Sequence, residues 1–296
     1  MKNILFRADS SSDIGIGHIM RDLVLAKQYK NDNIIFATQD LDGNINQEIP
    51  YFIEILSSNH IKEVAYLIDK HNIDMIIIDN YKIDEVYERQ LKEQYPSLAL
   101  MVLEDRYIKH YCDILLNHNI SASAIKYKGL LPSHCDVLCG EKHILIRDEF
   151  KQYKNKSKTK KSKKENIFIS MGGSDFGNIN IKILETLEVF HNINIQIIST
   201  LANKNINQLK QYCKNKKNIT LHINSKNIAK IIFESDFAIV TPSVIANEIY
   251  YMNIDFLAIK TADNQDDMYQ YLAKKSLAMS EFNSIKLHQY MEKVLK

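Results

Sequence analysis

His18 closes the segment Asp9-Ser10-Ser11-Ser12-Asp13-Ile14-Gly15-Ile16-Gly17-His18, and its place there decides what it could do. A strand-like run over 3–8 ends just before this segment, and an amphipathic run begins at His18 itself. The imidazole therefore falls in the first turn of a helix, where the dipole disfavours an imidazolium and leaves a neutral ring able to accept a proton. Gly15 and Gly17 leave room for a ligand beside it. On spacing alone the competing role is a capping or packing histidine. A second loop, Met171-Gly172-Gly173-Ser174-Asp175-Phe176-Gly177-Asn178, lets the backbone approach a diphosphate closely. Its alternative is a plain strand-to-helix turn capped by Ser174 or Asp175. Five of the eight glycines in the chain lie in these two loops, which marks both as places where backbone must come close to something.

A dinucleotide fingerprint is not what the first loop spells. The third glycine of G-x-G-x-x-G would fall on Met20, and six residues separate Ala8 from Gly15 where that motif needs a tight turn. Asp40 stands at a plausible distance for a ribose contact, but one acid in a loop does not make the site.

The elements that must position these residues form two series. In the first, strands over 3–8, 33–38, 74–79 and 98–103 alternate with helices over 18–29, 60–72 and 84–93. In the second, strands over 166–170, 194–199, 219–222, 237–241 and 256–260 alternate with helices over 180–190, 205–215, 227–234, 244–251 and 266–275. Strands separated by helices of this length imply right-handed βαβ units and parallel sheets. The expected fold is α/β: two doubly wound, Rossmann-like domains facing a cleft, with each glycine loop at the carboxyl end of its domain's first strand. Boundaries are expected at 1–150 and 166–296, joined by a linker over 151–165. A last helix over 283–294 stays with the second domain or crosses back to the first; the sequence does not decide which.

Composition narrows the function classes. The chain has 296 residues, 45% of them hydrophobic and 25% charged, enough for two cores. No apolar stretch approaches the ~20 residues that span a bilayer. The start of the chain lacks the apolar core of a secretory signal, and four cysteines make no disulfide scaffold, so a cytoplasmic location is expected. The net charge of +2 hides an uneven distribution, because 151–165 holds eight lysines and one glutamate. The rest of the chain is mildly acidic. A nucleic-acid binder would spread its cations over a folded face, so the run reads as a solvated linker and no nucleic-acid partner is expected.

At the first glycine loop the sequence becomes recognisable. Phe6-Arg7-Ala8-Asp9-Ser10-Ser11-Ser12-Asp13-Ile14-Gly15-Ile16-Gly17-His18-Ile19-Met20-Arg21-Asp22-Leu23-Val24-Leu25-Ala26 resembles the opening motif of the UDP-sugar hydrolases of pseudaminic acid biosynthesis. The resemblance continues through Glu104-Asp105, Cys112-Asp113-Ile114-Leu115-Leu116-Asn117, Tyr127-Lys128-Gly129-Leu130 and Ile144-Leu145-Ile146-Arg147-Asp148-Glu149-Phe150. In the second domain it includes Met171-Gly172-Gly173-Ser174-Asp175, Ser243, Asn247-Glu248 and Asn264-Gln265. That family cleaves UDP-2,4-diacetamido-2,4,6-trideoxy-β-L-altropyranose, is taken to be metal-independent and without cofactor, and is similar in fold to the lipid II-forming N-acetylglucosaminyl transferases, a glycosyltransferase-B architecture.

Carried over by position, the resemblance makes His18 the catalytic residue, with Gly17 beside it, and gives the first domain the sugar. The second domain takes UDP. Gly172, Gly173 and Ser174 flank the diphosphate, Glu248 accepts from the ribose hydroxyls, and Ile223 matches a backbone position that reads uracil. Arg147 matches a substrate-binding arginine, while Tyr81 and Asn264 border the sugar. Two positions depart from the pattern. The family's Asp-His-Tyr is Asp79-Asn80-Tyr81 here, and the usual Tyr before the Leu-Arg motif is His143. His134, Cys135, Cys139 and His143 match no established zinc spacing, and Asp9, Asp13 and Asp175 suit turns without a metal. The alternative to a hydrolase is a UDP-sugar-dependent glycosyltransferase of the same fold, which needs an acceptor. Oligomeric state is not legible.

Overall fold

The computed structural model describes residues 1–156, 165–173, 175 and 177–295. The chain divides into two compact units, Met1–Arg147 and Asp148–Lys296. Most of the lysine-rich run, 157–164, lies outside the described residues, as do Ser174 and Phe176.

In the first unit the elements run β1 (Asn3–Ala8), α1 (Gly17–Ala26), β2 (Asn33–Gln39), β3 (Phe52–Leu56), α2 (Ile61–His71), β4 (Met75–Asp79), α3 (Glu85–Gln94), β5 (Ala99–Leu103), β6 (Ile114–Asn117) and β7 (Asp136–Cys139). All seven strands pair in parallel in the order β3-β2-β1-β4-β5-β6-β7. A parallel sheet buried on both faces needs apolar side chains in both directions, and the strands supply them. Leu5, Ile35, Ile76, Ile78, Leu100 and Val102 pack with Val64, Leu67, Ile68 and Leu91 of α2 and α3. On the opposite face Ile4, Phe6, Phe36, Ile77 and Met101 pack with Ile19, Leu25 and Ala26 of α1. Helix α1 starts one residue earlier than expected and stops at Ala26 rather than at 29. There the chain tightens into i→i−3 bonds, Gln28 N–H to Leu25 O and Tyr29 N–H to Ala26 O.

The second unit runs α4 (Asp148–Lys151), β8 (Glu165–Ser170), α5 (Ile179–Leu187), β9 (Ile193–Ser199), α6 (Ile206–Cys213), β10 (Ile219–Ile223), α7 (Ile228–Phe233), β11 (Phe237–Val240), α8 (Val244–Met252), β12 (Asp255–Ile259), α9 (Asp266–Lys274), β13 (Ala278–Met279) and α10 (Ser284–Val294). Its six strands are parallel in the order β10-β9-β8-β11-β12-β13. The question of the last helix is resolved. Leu287 and Met291 of α10 are fully buried in the same core as Ile183 and Leu187 of α5 and Ile167 and Ile195 of the sheet, so α10 completes the second unit instead of crossing back.

Both sheets share one feature that fixes where ligands can go. The connections lead off in opposite directions from β1 and β4 in the first sheet, and from β8 and β11 in the second. Such switch points leave a crevice at the carboxyl ends of the two strands, lined by the loops that follow them.

Candidate active site

At the switch point of the first unit the register places Asp79, the last residue of β4, against Ala8, the last residue of β1. The chain leaving β1 turns through Ser11–Gly15, held by Gly15 N–H to Ser11 O and by the positive φ of Gly15 (+82°), and enters α1 at Gly17. Ile16 caps this helix without a side-chain hydrogen bond, and a Cβ at Gly17 would meet nothing within 4 Å. His18, in the first turn, is 9% exposed and places Nδ1 2.6 Å from Asp79 Oδ1. A ring nitrogen and a carboxylate oxygen approach so closely only with a proton between them. Asp79 therefore selects the ring nitrogen that carries the hydrogen: Nδ1 donates it, and the atom that can act as an acceptor in the uncharged ring is Nε2.

Arg21 lies three residues along the same helix face and forks onto the same carboxylate. Its Nε donates to Asp79 Oδ2 at 2.6 Å and its Nη2 to Oδ1, while Nη2 stands 3.1 Å from His18 Nδ1. Complete burial would raise the Asp79 carboxyl, but the charge and hydrogen bonds of Arg21, with that of His18, hold it well below the usual carboxylate range. Nη1 of Arg21 reaches Asp105 Oδ2 at 3.6 Å, and Asp105 Oδ1 accepts the Tyr81 hydroxyl at 2.6 Å. Tyr81 meets the His18 ring edge-on with centroids 4.7 Å apart, and Arg106 lies over the tyrosine ring at 4.1 Å. Burial and the neighbouring Asp105 push the Tyr81 phenol up, so it stays protonated and able to donate.

Two further buried groups surround this cluster. Asp22 is fully buried, and neither of its carboxylate oxygens meets a donor among the described residues. Burial and the Asp79 charge raise its carboxyl well above the usual range. His118, in the loop after β6, is 2% exposed; burial, then the Arg21 charge, push its ring down to about 3, so it is neutral. Sequence reasoning had singled out His18, Gly17 and Tyr81, and the structure brings those three together. Spacing along the chain does not mark Asp79, Arg21 or Asp105 as members of the site. The usable signal was the strand-end position of Asp79 beside β1, which requires the strand order. Arg147 is half-buried at the end of the first unit.

The departure at Asn80 also has a physical reading. Asn80 Nδ2 donates to Asp9 Oδ2 at 2.8 Å, tying the loop after β4 to the loop after β1. Asp9 in turn takes a forked pair from Arg7 at 2.7 and 2.8 Å and the Gln39 N–H at 2.8 Å. Its oxygens are committed to holding the loops. Among the described residues no three His, Cys, Asp or Glu side chains converge as metal ligands. His134 faces Asp113 at 3.5 Å, whereas Cys135 Sγ lies 3.6 Å from Cys112 Sγ, so the cysteine-histidine group of 134–143 does not gather at one point.

In the second unit Gly172, Gly173, Glu248 and Asn264 follow the carboxyl ends of strands, and Ile223 ends one. Gly172 (φ +80°) and Gly173 follow β8, Ile223 ends β10, Glu248 sits on the second turn of α8 after β11, and Asn264 lies in a short 3₁₀ turn after β12. A Cβ at Gly172 would meet nothing within 4 Å, whereas one at Gly173 would press on Thr200 at 3.3 Å. Glu248 is 3% exposed, Ile223 is half-buried and Asn264 is exposed. The α5 N-terminus is already occupied. Asp175 accepts from Ile179 N–H at 2.8 Å and from Asn180 N–H at 3.3 Å, the capping role that was the alternative for this loop.

No protein-family model matches the chain. It is 40% identical over 272 residues, 92% of this chain and 96% of the other, to the UDP-2,4-diacetamido-2,4,6-trideoxy-β-L-altropyranose hydrolase of Campylobacter jejuni. This chain belongs to that hydrolase family. An uncharacterized protein of Methanocaldococcus jannaschii is 26% identical over 290 residues, though this chain spans only 59% of its length. Solved structures of low sequence identity share this chain's fold. MurG of Acinetobacter baumannii superposes with a TM-score of 0.67 at 11% identity, covering 100% of this chain and 91% of that one. Staphylococcus aureus MnaA with UDP gives 0.65 at 11% identity, covering 100% and 88%. The two parallel, helix-covered sheets are those of the glycosyltransferase-B fold, as the resemblance implied.

Proposed function

We propose that the protein hydrolyses UDP-2,4-diacetamido-2,4,6-trideoxy-β-L-altropyranose to UDP and 2,4-diacetamido-2,4,6-trideoxy-L-altrose, with His18 as general base. The observation that supports this reading is the buried 2.6 Å contact of His18 Nδ1 with Asp79, which commits Nδ1 to the carboxylate and makes Nε2 the nitrogen that would take the proton from water. Water placed on the face of C1 opposite the nucleotide gives its proton to Nε2 as its oxygen bonds to C1. The C1–O bond breaks and its electrons leave with UDP, inverting the anomeric centre. Tyr81, held by Asp105 and Arg106, forms the wall beside the imidazole and borders the sugar. Arg147 is a further substrate contact of this unit.

In this reading the unit Asp148–Lys296 holds the nucleotide. Gly172 and Gly173, with Ser174, flank the diphosphate, Glu248 accepts from the ribose hydroxyls, the backbone at Ile223 reads uracil, and Asn264 borders the sugar. No metal or cofactor takes part. Incubation with the UDP-sugar in ¹⁸O water, without any acceptor, tests the reaction. Steady UDP release with ¹⁸O in the sugar is expected. Release that depends on an added acceptor would assign a glycosyltransferase instead, and ¹⁸O in UDP would move the attack to phosphorus.

A further inference from the structure

The Asp79 carboxylate is completely buried, and a buried carboxylate requires a counter-charge. Among the described residues two side chains touch it that could supply one, His18 and Arg21. They are not equivalent for catalysis. Were the imidazole to provide the charge, it would do so by taking a second proton, and that proton would occupy Nε2, the atom a base must keep empty. We propose that Arg21 is a positioning residue that keeps this second proton off the Asp79–His18 pair. Its permanent positive charge, delivered through a fork onto both oxygens of Asp79, removes the pair's demand for a cation.

The geometry suits this division of labour. Arg21 Nε lies 2.6 Å from Oδ2, and Nη2 serves Oδ1 while leaving that oxygen able to accept from His18. Nη2 also stands 3.1 Å from His18 Nδ1, so a positive charge already faces the ring and opposes another on it. The helix that presents the ring brings its guard three residues later, on the same face. The remaining groups around the pair do not replace that charge. Tyr81 is a protonated phenol, His118 is neutral, and Asp22, next on α1, has its carboxyl raised by burial. Asp105 also faces the cluster, 3.6 Å from Arg21, and it is partly solvated and bonded to the Tyr81 hydroxyl. Arg21 is the only permanent cation in direct contact with Asp79 among the described residues.

The inference rests on His18 being the base, and the test separates the two claims. The pH dependence of kcat/KM for UDP-sugar hydrolysis is compared for the native enzyme, Arg21→Gln and Arg21→Lys. In parallel, ring ¹⁵N spectra of His18, assigned by difference from His18→Asn, are followed with pH in substrate-free enzyme. Glutamine keeps a hydrogen-bond donor but loses the charge; lysine keeps the charge but loses the fork. In Arg21→Gln the acid limb should move to higher pH by about one unit or more, with the doubly protonated ring signal persisting correspondingly further. Arg21→Lys should leave both within about half a unit. An unmoved acid limb and unmoved ring signal in Arg21→Gln, whatever the loss in kcat, would overturn the proposal, as would an equal displacement in Arg21→Lys. Should the glutamine variant not fold, the lysine variant decides alone: a displaced limb with the charge retained overturns the proposal, and an undisplaced one supports it. A displaced ring signal without a displaced rate profile would support the guard and reject His18 as the base.

Discussion

Asp9 and Asp79 stand at the ends of neighbouring strands, yet their oxygens are committed in opposite ways. Asp9 is consumed by Arg7, Gln39 N–H and Asn80, all of them groups that hold loops. Asp79 accepts from Arg21 and His18 and thereby sets which ring nitrogen is basic. Replacing Asp79 by Asn puts an amide where the carboxylate fixed the tautomer and removes the buried carboxylate onto which Arg21 forks, leaving Arg21 only the more distant Asp105. kcat should fall by roughly 10²–10⁴ while UDP affinity stays unchanged, and stability should drop by about 3–5 kcal/mol. Steady-state rates, calorimetry with UDP and a urea titration check the three parts; a loss in kcat below tenfold would contradict the tautomer argument. At this scale the sequence was readable where chemistry is local. His18 declared itself through the glycines and the helix start within ten residues of it. Its partnership with Asp79 spans 61 residues and exists only because β1 pairs with β4, which spacing along the chain does not reveal. Asp175 was legible as one of two options, and only the positions of the Ile179 and Asn180 amides choose the cap.

Elements are tied around the site by a buried ion network. His110, in the loop before β6, places Nδ1 2.7 Å from Glu88 of α3 and Nε2 3.4 Å from Glu104, which follows β5 and forks onto Arg106. Burial opposes the charge on His110, but the two glutamates prevail and raise its ring to about 9. Burial likewise opposes Glu104, and His110 with Arg106 lower it to about 2. The signs then follow from linkage. His110 binds its proton more tightly folded than unfolded, so its contribution is fully present below its ordinary value of 6.5 and is lost as pH rises through about 9. Glu104 contributes above 4.5 and loses that contribution as pH falls through about 2. Urea midpoints should therefore decline on the alkaline side from about pH 6.5 to 9, and His110→Gln should flatten that decline while costing roughly 3–5 kcal/mol at pH 6. An equal alkaline decline in the variant would place its cause elsewhere. The strands on which this network hangs were only partly legible. The central ones are continuous apolar runs such as Met75-Ile76-Ile77-Ile78, buried on both faces. β6 and β7 are four residues each and β13 two, too short for a periodic signal, while β3 is an edge strand that leaves Phe52 and Ile55 exposed.

Across the whole molecule, the alternation of strands and helices was enough to read two doubly wound units, because parallel pairing forces a crossover between successive strands. The fate of α10 was not readable, since an amphipathic helix does not say which core its apolar face will find. The proposed division of work, sugar chemistry in Met1–Arg147 and nucleotide in Asp148–Lys296, makes Glu248→Ala a change in UDP binding. It should weaken UDP by roughly 1.5–3 kcal/mol, the scale of a hydrogen bond to a charged group, and unchanged affinity by calorimetry would reject that placement. Hydrolysis should survive excess EDTA followed by desalting; turnover lost to the chelator and restored by Mg²⁺ or Mn²⁺ would reinstate a metal. The most direct test of the central claim is His18→Asn, assayed for UDP release from the UDP-sugar alongside UDP binding on the same preparation. Asparagine keeps a polar group and removes the base, so kcat should fall by roughly 10²–10⁴ with UDP affinity unchanged; turnover within tenfold of the native enzyme would mean that another group activates the water.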